Sequence, residues 1–476
     1  MRMHDSHTPQ LQQSFERLRA AWLDQRPSYE QRRDDLKRLR RLFRERLDEM
    51  STAVSADFGH RSVHETLLGE GSVVLSEIDH TLARLKAWMK PERRAAGWKL
   101  WPAKAHVRFV PLGVVGVISP WNYPVNLALA PLVAAIGAGN HVLLKPSEHT
   151  PRTSEFLRRL IADVFPQTRA TVVLGGADLS AAFSALPFDH LFFTGSTAVG
   201  RKVMAAAAQN LTPVTLELGG KSPVIVGESA DLRRAADRIA TGKFFNAGQT
   251  CIAPDYVLIH ESKRDAFVSL LRQQIGERYG AGNGYQDYTS IINDAQHDRL
   301  AGLVSDARAR GHALIPLLEM KQASPSRVRL MEPTVVLEPT QDSAVMREEI
   351  FGPILPVISY RTTDEAINHV LGRDRPLALY CFSADATEIE AILARIVAGG
   401  VCINDTLYQF ACNDMPFGGV GASGMGHYHG REGFLTFSKS MPVLRKYDPA
   451  PSDLISPPYK GLTDKLVRFI TWIPGR

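Results

Sequence analysis

The sequence predicts an α/β protein built on mostly parallel sheets. From Gly113 onward, short apolar runs rich in β-branched residues alternate with stretches whose apolar residues recur at helical spacing. This alternation is typical of strand–helix–strand units, in which helices cover both faces of a parallel sheet. The length of 476 residues allows two or three domains, and an apolar content of 44% is ordinary for a globular protein.

The region before Gly113 is predicted to be mainly helical. Residues 10–56 show helical spacing of their apolar positions. A further helix is expected from Glu65 to Met89, because Pro91 cannot continue it. Residues 97–110 are expected to be extended or to form a hairpin.

Two α/β series follow along the chain. The first has predicted strands at Val114–Ile118, His141–Leu144, Thr171–Leu174 and His190–Thr194, and helices at Pro124–Gly137, Thr153–Val164 and Thr197–Ala208. The second starts near Val214, with strands at Val224–Val226, Tyr256–Ile259 and Thr334–Val336 and helices at Leu232–Phe245 and Arg264–Arg278. Residues 280–292 are predicted to form a loop, and residues 449–458 a surface segment.

The composition argues against several classes of protein. The net charge of +6 is small for this length, so it fits a protein that binds an anionic ligand better than it fits a nucleic-acid binder. The four cysteines, Cys251, Cys381, Cys402 and Cys412, suggest no disulfide framework and match no zinc spacing. Without an apolar leader or a run of about 20 apolar residues, we expect a cytoplasmic protein.

Two segments carry the strongest chemical signal. Cys251 lies in the run FFNAGQTCIAP at 244–254, and Glu217 opens the run ELGGKSP at 217–223. A thiol can attack a carbonyl carbon, and a carboxylate can activate the water that releases the resulting acyl group. The pair therefore predicts an enzyme that forms and hydrolyses a thioester.

Seven segments in a fixed order resemble the signature blocks of the aldehyde dehydrogenase superfamily, over about residues 107–440. Besides the two above, they are PWNYP at 120–124, KPSE at 145–148, FTGS at 193–196, EIFGP at 349–353 and PFGG at 416–419. The runs LTPVTLE at 211–217 and CIAPDY at 251–256 resemble the class 3 branch. The runs LPFDH at 186–190 and GHYHGREGF at 426–434 resemble bacterial coniferyl-aldehyde dehydrogenases.

The resemblance implies three catalytic residues. Cys251 would be the nucleophile. Glu217 would be the general base, with a pKa raised by burial between apolar neighbours. The side-chain amide of Asn122, together with the backbone N–H of Cys251, would hold the negative oxygen formed when the thiol attacks. Because relatives that transfer the acyl group to coenzyme A commonly lack this glutamate, the expected product is a free carboxylic acid.

The resemblance also implies an adenosine site. Lys145 and Glu148 would contact the ribose hydroxyls. A carboxylate that accepts from the 2′-hydroxyl disfavours a 2′-phosphate, so NAD is the expected cofactor. Since class 3 relatives often accept NADP as well, NADP stays open as a second cofactor.

The rest of the implied cofactor site comes from two other segments. Gly195 and Ser196 lie between a strand and a helix, where backbone N–H groups at the helix start can bind phosphate. Glu349 and Phe351 would hold the nicotinamide ribose and ring. No metal is expected, because His427 and His429 have no evident third ligand.

Two further features remain open between function and structure. Lys243 either lowers the pKa of the Cys251 thiol or is a surface lysine on a helix. Six aromatic residues would together shape a tunnel for an aromatic or long apolar aldehyde, although any one of them is more often part of a core: Tyr123, Phe245, Tyr408, Phe410, Phe417 and Tyr428.

The predicted architecture is the aldehyde dehydrogenase fold. A Rossmann-like cofactor domain would span 1–215 and a catalytic α/β domain 216–403, while 404–476 would return to the cofactor domain. A small β arm of about 97–110 and 430–447 would join the subunits of a dimer. The segment Tyr459–Trp472 is predicted to be a helix packed on the body or on the partner.

The predicted function is NAD(P)-dependent oxidation of an aldehyde, with an aromatic substrate such as coniferyl aldehyde. The alternatives are a dehydrogenase for fatty or general aliphatic aldehydes and a non-catalytic binding protein on the same fold.

Overall fold

The computed structural model describes residues 7–280, 285–320, 327–448, 455, 457 and 459–473. Its helices are α1 (His7–Asp24), α2 (Tyr29–Glu45), α3 (Leu47–Phe58), α4 (Val63–Thr66), α5 (Val73–Trp88), α6 (Asn126–Ala138), α7 (Pro151–Val164), α8 (Ala177–Ser184), α9 (Thr197–Ala208), α10 (Leu232–Phe244), α11 (Arg264–Tyr279), α12 (Asp294–Ala309), α13 (Ala344–Arg347), α14 (Thr363–Leu371), α15 (Ala386–Arg395), α16 (Tyr408–Ala411), α17 (Gly430–Thr436) and α18 (Leu462–Trp472). A π-helical turn, Leu67–Ser72, joins α4 to α5.

The strands are β1 (Glu92–Arg94), β2 (Lys104–Pro111), β3 (Val114–Ile118), β4 (His141–Lys145), β5 (Ala170–Val172), β6 (His190–Thr194), β7 (Val214–Glu217), β8 (Pro223–Val226), β9 (Tyr256–His260), β10 (Ala313–Pro316), β11 (Thr334–Leu337), β12 (Ile354–Tyr360), β13 (Ala378–Phe382), β14 (Gly400–Ile403), β15 (Gly424–Met425) and β16 (Ser438–Arg445). They form a first sheet in the order β15-β7-β6-β3-β4-β5, a second sheet in the order β10-β11-β12-β9-β8-β13-β14 and a third sheet in the order β1-β2-β16.

In the first sheet, the parallel strands β3, β4, β6 and β7 end side by side. Ile118 pairs with Lys145 and Phe193, and Thr194 pairs with Glu217. The chain leaves β3 in one direction through β4 and β5, and in the other through β6 and β7. In open α/β sheets ligands bind at this reversal, outside the carboxyl ends of the strands. The first sheet thus provides one wall for a site.

The second sheet provides the opposite wall with its amino edge. The segment after Glu217 passes directly from the carboxyl end of β7 to the start of β8. Cys251 lies just before β9, and Glu349 and Phe351 lie just before β12. In the order of the sheet, all neighbouring strands between β11 and β14 are parallel. The segments that precede these strands therefore lie at the same end of the sheet.

The hydrophobic core encloses the central strands of the first sheet and helix α6. All five residues of β3, β4 and β6 are buried, as expected for parallel strands covered on both faces. Helix α6 is apolar all round and buried along its whole length, and it packs against α2, α5 and α17. At about 25 cal/mol per Å² of apolar surface, this burial is a principal source of stability.

The α/β prediction is confirmed. The predicted strands and helices of both series agree with the structure to within two residues. Residues 10–56 are helical except at the breaks between α1, α2 and α3, and the region from Glu65 to Met89 is helical with a π-helical turn inside it. Residues 281–284 of the predicted loop, and most of the predicted surface segment 449–458, lie outside the described residues.

Two expectations differ from the structure. Residues 430–436 form helix α17, not the start of a β segment, because Phe434 is buried there against Trp88 and Phe109. Within 97–110, a 3-10 turn at Trp98–Leu100 precedes β2.

The C-terminal segment forms the predicted helix α18. None of its side chains is fully buried and Trp472 is 82% exposed. Its packing on the body of this chain or on a partner remains a prediction. Among the described residues, no helix has the length and apolar character needed to cross a membrane. The residue bounds of the predicted domains remain a prediction.

Candidate active site

A cleft of about 260 Å³ lies between the carboxyl edge of the first sheet and the amino edge of the second. It brings together seven of the nine residues predicted for the site: Asn122, Gly195, Ser196, Glu217, Cys251, Glu349 and Phe351. The remaining lining residues are Pro120, Trp121, Leu127, Thr194, Leu218, Gly219, Gln296, Arg299, Leu377, Phe417 and Tyr428.

The loop before Cys251 is held in an unusual backbone conformation. Asn246, Ala247 and Gly248 have φ angles of 53°, 51° and 75°, in the left-handed region. Asparagine and glycine adopt this region at low cost, whereas alanine there costs about 1 kcal/mol. A Cβ at residue 248 would collide with the carbonyl oxygen of Gly352. The sequence Asn-Ala-Gly is therefore what lets the loop turn Cys251 into the cleft.

The environment of Cys251 disfavours its thiolate. Burial, followed by the charges of Glu349 and Glu217, raises the pKa of the Cys251 thiol to about 12. The two carboxyl groups therefore belong to the same electrostatic environment as the sulfur. Both effects favour the thiol over the thiolate.

Glu217 ends β7 and projects a buried carboxyl group into the cleft. Neither of its carboxyl oxygens has a hydrogen-bond partner among the described residues. Burial raises the pKa of Glu217 well above the ordinary glutamate value. A buried carboxyl without a protein partner is costly, so water or substrate in the cleft must satisfy it. A pKa moved toward neutrality suits a general base.

Asn122 is fixed by three hydrogen bonds. Its backbone carbonyl accepts from Asn246 Nδ2 and from Arg61 Nη1, both at 3.1 Å. Its own Nδ2 donates to the carbonyl oxygen of Gln249 at 3.1 Å. A side-chain amide carries two N–H donors, so one remains for an oxygen atom in the cleft.

Glu349 and Phe351 lie on a loop that is held by the ion pair between Asp255 and Lys221. Asp255 accepts from the backbone N–H of Ile350 at 2.8 Å and pairs with Lys221. Lys221 also donates to the carbonyl oxygens of Val345 and Glu348, each at 2.8 Å. Burial, and next the charge of Asp255, raise the pKa of Glu349 to about 7.

Gly195 and Ser196 place the start of α9 on the cleft wall. The Ser196 hydroxyl caps the helix by accepting from the N–H of Val199 at 3.4 Å. The N–H of Gly195 donates to the carbonyl of Glu217 at 3.0 Å, which ties α9 to β7. A helix N-terminus at this position favours an anionic group.

Lys145 and Glu148 do not line the cleft. The buried Lys145 amine donates to Glu148 at 2.7 Å, and Glu148 is partly exposed. The carbonyl of Lys145 accepts from Ser119 N–H at 3.1 Å, so the pair lies beside the end of β3. Their predicted contact with a ribose stays a prediction.

Comparison with known proteins agrees with this geometry. The sequence profile described as the aldehyde dehydrogenase family matches residues 12–443. The chain belongs to the aldehyde dehydrogenase family. It is 50% identical over 459 residues to a probable coniferyl aldehyde dehydrogenase of Pseudomonas aeruginosa. The aligned residues cover 96% of this chain and 95% of that protein.

Two further relatives are similar over most of their length. A coniferyl aldehyde dehydrogenase of a Pseudomonas species is 47% identical over 438 residues, which are 91% of this chain and 90% of that one. The solved structure described as the substrate-bound state of Staphylococcus aureus AldH has a TM-score of 0.91 at 39% identity, covering 97% of this chain and 99% of that chain. The chain is thus an aldehyde dehydrogenase that uses NAD(P).

The residues of the cleft fit a nicotinamide dinucleotide. Gly195 and Ser196 offer a helix N-terminus for phosphate. Gly219 has no side chain, and a Cβ there would collide with the Glu349 carboxyl group. The absence of a side chain at Gly219 therefore lets the Glu349 carboxyl group lie against the backbone in the cleft, where its oxygens could accept from ribose hydroxyls.

Only part of the predicted aromatic set lines the cleft. Phe417 and Tyr428 do so, while the other four residues, Tyr123, Phe245, Tyr408 and Phe410, do not. Tyr408 is 61% exposed. Trp121, which was not among the predicted aromatic residues, also lines the cleft, and its ring meets that of Phe351 edge to face at 5.3 Å.

Lys243 is buried, so the surface interpretation is wrong. Burial lowers the pKa of the Lys243 amine to about 8, and the neighbouring charges are those of Asp255, Lys221 and Glu349. Gln296 and Arg299, on α12, are cleft residues that sequence reasoning missed. No motif marked them, because α12 was itself not predicted.

Proposed function

We propose that this aldehyde dehydrogenase oxidises an aromatic aldehyde of the coniferyl type to its carboxylic acid through a thioester on Cys251. One observation carries the proposal: a half-buried thiol, Cys251, and a buried carboxyl group, Glu217, which has no hydrogen-bond partner among the described residues, face one cleft with aromatic walls. Asn122, in the same cleft, has an amide N–H available for oxygen.

In the first half of the reaction, the Cys251 thiol gives its proton to water in the cleft, and the resulting thiolate sulfur attacks the aldehyde carbon. The carbonyl oxygen becomes negative, and the Asn122 amide and the Cys251 N–H donate to it. When bound, the dinucleotide supplies the hydride acceptor. The residues proposed to hold it are Lys145, Glu148, Gly195, Ser196, Glu349 and Phe351. The acyl group is left on Cys251 as a thioester.

In the second half, Glu217 removes a proton from water as the water oxygen attacks the thioester carbon. The carbon–sulfur bond breaks, the carboxylic acid leaves and Cys251 is free again. The raised pKa of Glu217 makes its carboxylate a stronger base than an ordinary glutamate. Its lack of a protein partner leaves both oxygens available for water.

NAD is proposed as the preferred cofactor, with NADP accepted. Glu148 is partly exposed beside Lys145, and its carboxylate would accept from a 2′-hydroxyl but repel a 2′-phosphate. Lys145 already neutralises part of that charge, which weakens the discrimination and leaves room for NADP.

The aromatic substrate class is supported by the cleft walls and by the relatives. Trp121, Phe351, Phe417 and Tyr428 offer faces and edges to a planar ring. Two relatives at 47–50% identity bear the name coniferyl aldehyde dehydrogenase.

The test is a substrate and cofactor panel on the purified enzyme. Formation of the reduced cofactor is followed with coniferyl aldehyde and with hexanal, each with NAD and with NADP. We expect the higher kcat/KM for coniferyl aldehyde with NAD, and no turnover in Cys251→Ser. A higher kcat/KM for hexanal would move the substrate to the aliphatic class, and a fully active Cys251→Ser would refute the mechanism.

A homodimer in a reducing cytoplasm is also proposed. The third sheet leaves the outer edge of β16 unpaired, with Met441 and Leu444 exposed, and such an edge can join subunits. All four cysteines are free thiols. Light scattering during gel filtration should give twice the chain mass of 52.6 kDa.

A further inference from the structure

Arg61 is a buried arginine with no role in the chemistry described above. It lies in the short connection between α3 and α4, and its side chain is fully buried. Its Nη1 donates to Glu70 at 3.2 Å and to the backbone carbonyl of Asn122 at 3.1 Å. Its guanidinium lies 4.7 Å from the ring centre of Tyr123. Burying a cation at this depth is costly, so its partners define what it does.

Glu70 holds the other end of the same turn. Its Oε2 accepts from the N–H of Val125 at 2.9 Å and from the N–H of Asn126 at 2.7 Å, at the start of α6. Glu70 lies within the π-helical turn Leu67–Ser72, and such turns are often found at functional sites. Arg61 and Glu70 thus grip the segment 122–126 at both ends.

The neighbouring Glu65 holds the loop before Cys251 next to the segment 122–126. Its Oε2 accepts from the N–H of Asn246 at 3.0 Å and from the Thr289 hydroxyl at 2.7 Å. The Asn246 amide in turn donates to the carbonyl of Asn122. The Asn122 carbonyl therefore has two donors, one from each loop, and the peptide has little freedom to rotate.

We propose that Arg61 and Glu70 are positioning residues that set the Asn122 side chain for the oxyanion, an inference that rests on the proposed role of Asn122. With its carbonyl held by Arg61, the Asn122 residue keeps one amide N–H toward the cleft. Loss of this support lets the amide move by a fraction of an ångström or more. A misplacement of about 1 Å costs about 100-fold in rate.

The expected effect is confined to the first half of the reaction. Arg61→Met and Glu70→Gln should slow thioester formation by about 10- to 100-fold, and should leave hydrolysis of the thioester by Glu217 unchanged. In a Glu217→Gln background, where hydrolysis does not compete, the size of the first-turnover burst of reduced cofactor gives the number of active sites, and this number should stay the same. A merely structural defect would reduce that number or slow both halves.

A matched control is another buried arginine that pairs with a carboxylate and holds a backbone carbonyl. Arg169 donates to Asp35 at 3.0 Å and to the carbonyl of Asn140 at 2.7 Å, at the opposite edge of the first sheet. Arg169→Met should lower the melting temperature without slowing thioester formation.

The deciding experiment measures the burst rate constant by stopped flow, with the better of the two aldehydes in the panel above, for Arg61→Met in two backgrounds. In the Asn122 background the rate should fall. In the Asn122→Ala background Arg61→Met should change it by less than about twofold, because the group it positions is absent. Equal slowing in both backgrounds overturns the proposal, and so does a wild-type rate for Arg61→Met.

Two outcomes separate this inference from the proposed function. If Asn122→Ala forms the thioester at the wild-type rate, the oxyanion role of Asn122 fails and the inference fails with it. If Asn122→Ala is slow while Arg61→Met and Glu70→Gln are not, only the positioning role fails. Glu70→Gln keeps an acceptor for the Val125 and Asn126 N–H groups, so it decides the matter if Arg61→Met does not fold.

Discussion

Cys251 is surrounded by acidic groups, which is unusual for a nucleophile. A thiol attacks as its thiolate, yet burial and the two carboxyl groups of Glu349 and Glu217 raise its pKa. In the protein without substrate, these groups oppose ionisation of the thiol. Each of the two charges can be removed separately by an isosteric substitution.

Replacement of Glu349 by glutamine should lower the pKa of the Cys251 thiol, because it removes the charge that contributes most, after burial, to raising that pKa. The measurement is the rate of iodoacetamide labelling at Cys251 as a function of pH, with Cys251→Ser to correct for the exposed Cys412. In Glu349→Gln the rise of the rate should shift to lower pH. An unchanged profile would show that the charge of Glu349 does not contribute to this pKa.

The sequence revealed the reacting residues but not those that support them. Cys251, Glu217 and Asn122 each lie in a short contiguous run, so their residue types and neighbours carry the signal. Arg61 contacts Asn122 across 61 positions of sequence, and Glu65 contacts Asn246 across 181. No local pattern encodes such contacts, because they exist only once α6 and the N-terminal helices have packed together.

At the scale of elements, the loop Asn246–Gly248 is the feature that delivers the nucleophile. Gly248→Ala places a Cβ against the carbonyl of Gly352 at a φ of 75°. We expect a loss of about 1–3 kcal/mol in stability and a larger relative loss in kcat, since Cys251 is three residues away. Thermal unfolding and steady-state kinetics measure the two effects.

Gly302→Ala is the control for this substitution. Gly302 lies within α12, and a Cβ there meets no atom within 4 Å. Alanine should stabilise the helix by about 0.5–1 kcal/mol and leave kcat unchanged. A Gly248→Ala enzyme as stable and active as Gly302→Ala would contradict the account of the loop.

Glu77 joins α5 to the start of α17, and its ionisation should lower the free energy of unfolding as pH rises. On α5, its Oε1 accepts from the N–H of Gly430 at 3.1 Å, at the start of α17, while Oε2 has no partner among the described residues. Burial raises the pKa of Glu77 to about 7. The folded protein therefore keeps this proton at pH values where the unfolded chain, with a pKa near 4.3, has lost it.

Protonated Glu77 therefore contributes to the free energy of unfolding below about pH 4.3, and this contribution is lost as pH rises to about 7. Glu77→Gln has no such proton to lose. Its melting temperature relative to the native protein should rise between pH 5 and pH 8, by the equivalent of up to about 3 kcal/mol. An equal difference at both pH values would show that Glu77 does not titrate in this range.

In the whole molecule, the site lies where the carboxyl ends of the strands of the first sheet face the amino ends of the strands of the second sheet. Alternating apolar runs predicted both α/β series, because buried parallel strands and amphipathic helices leave a local pattern. The pattern does not show which edges face each other. It also missed α12, whose apolar side is weak, and it placed β structure at α17, where burial of Phe434 favours a helix.

The cleft between the two sheets holds the thiol and the proposed base and oxyanion contact together. This arrangement makes a two-stage reaction possible without movement of the acyl group from one site to another. The stages depend on different residues, so a single substitution can separate them in time.

The most direct test of this account is a stopped-flow measurement of reduced-cofactor formation by Glu217→Gln with an excess of aldehyde. The account predicts a burst equal to the number of active sites, followed by a steady rate at least about 100-fold below that of the native enzyme, because the thioester forms but water is not activated. A full steady rate in Glu217→Gln, or no burst at all, would contradict the assignment of Glu217 as the base for hydrolysis of a thioester on Cys251.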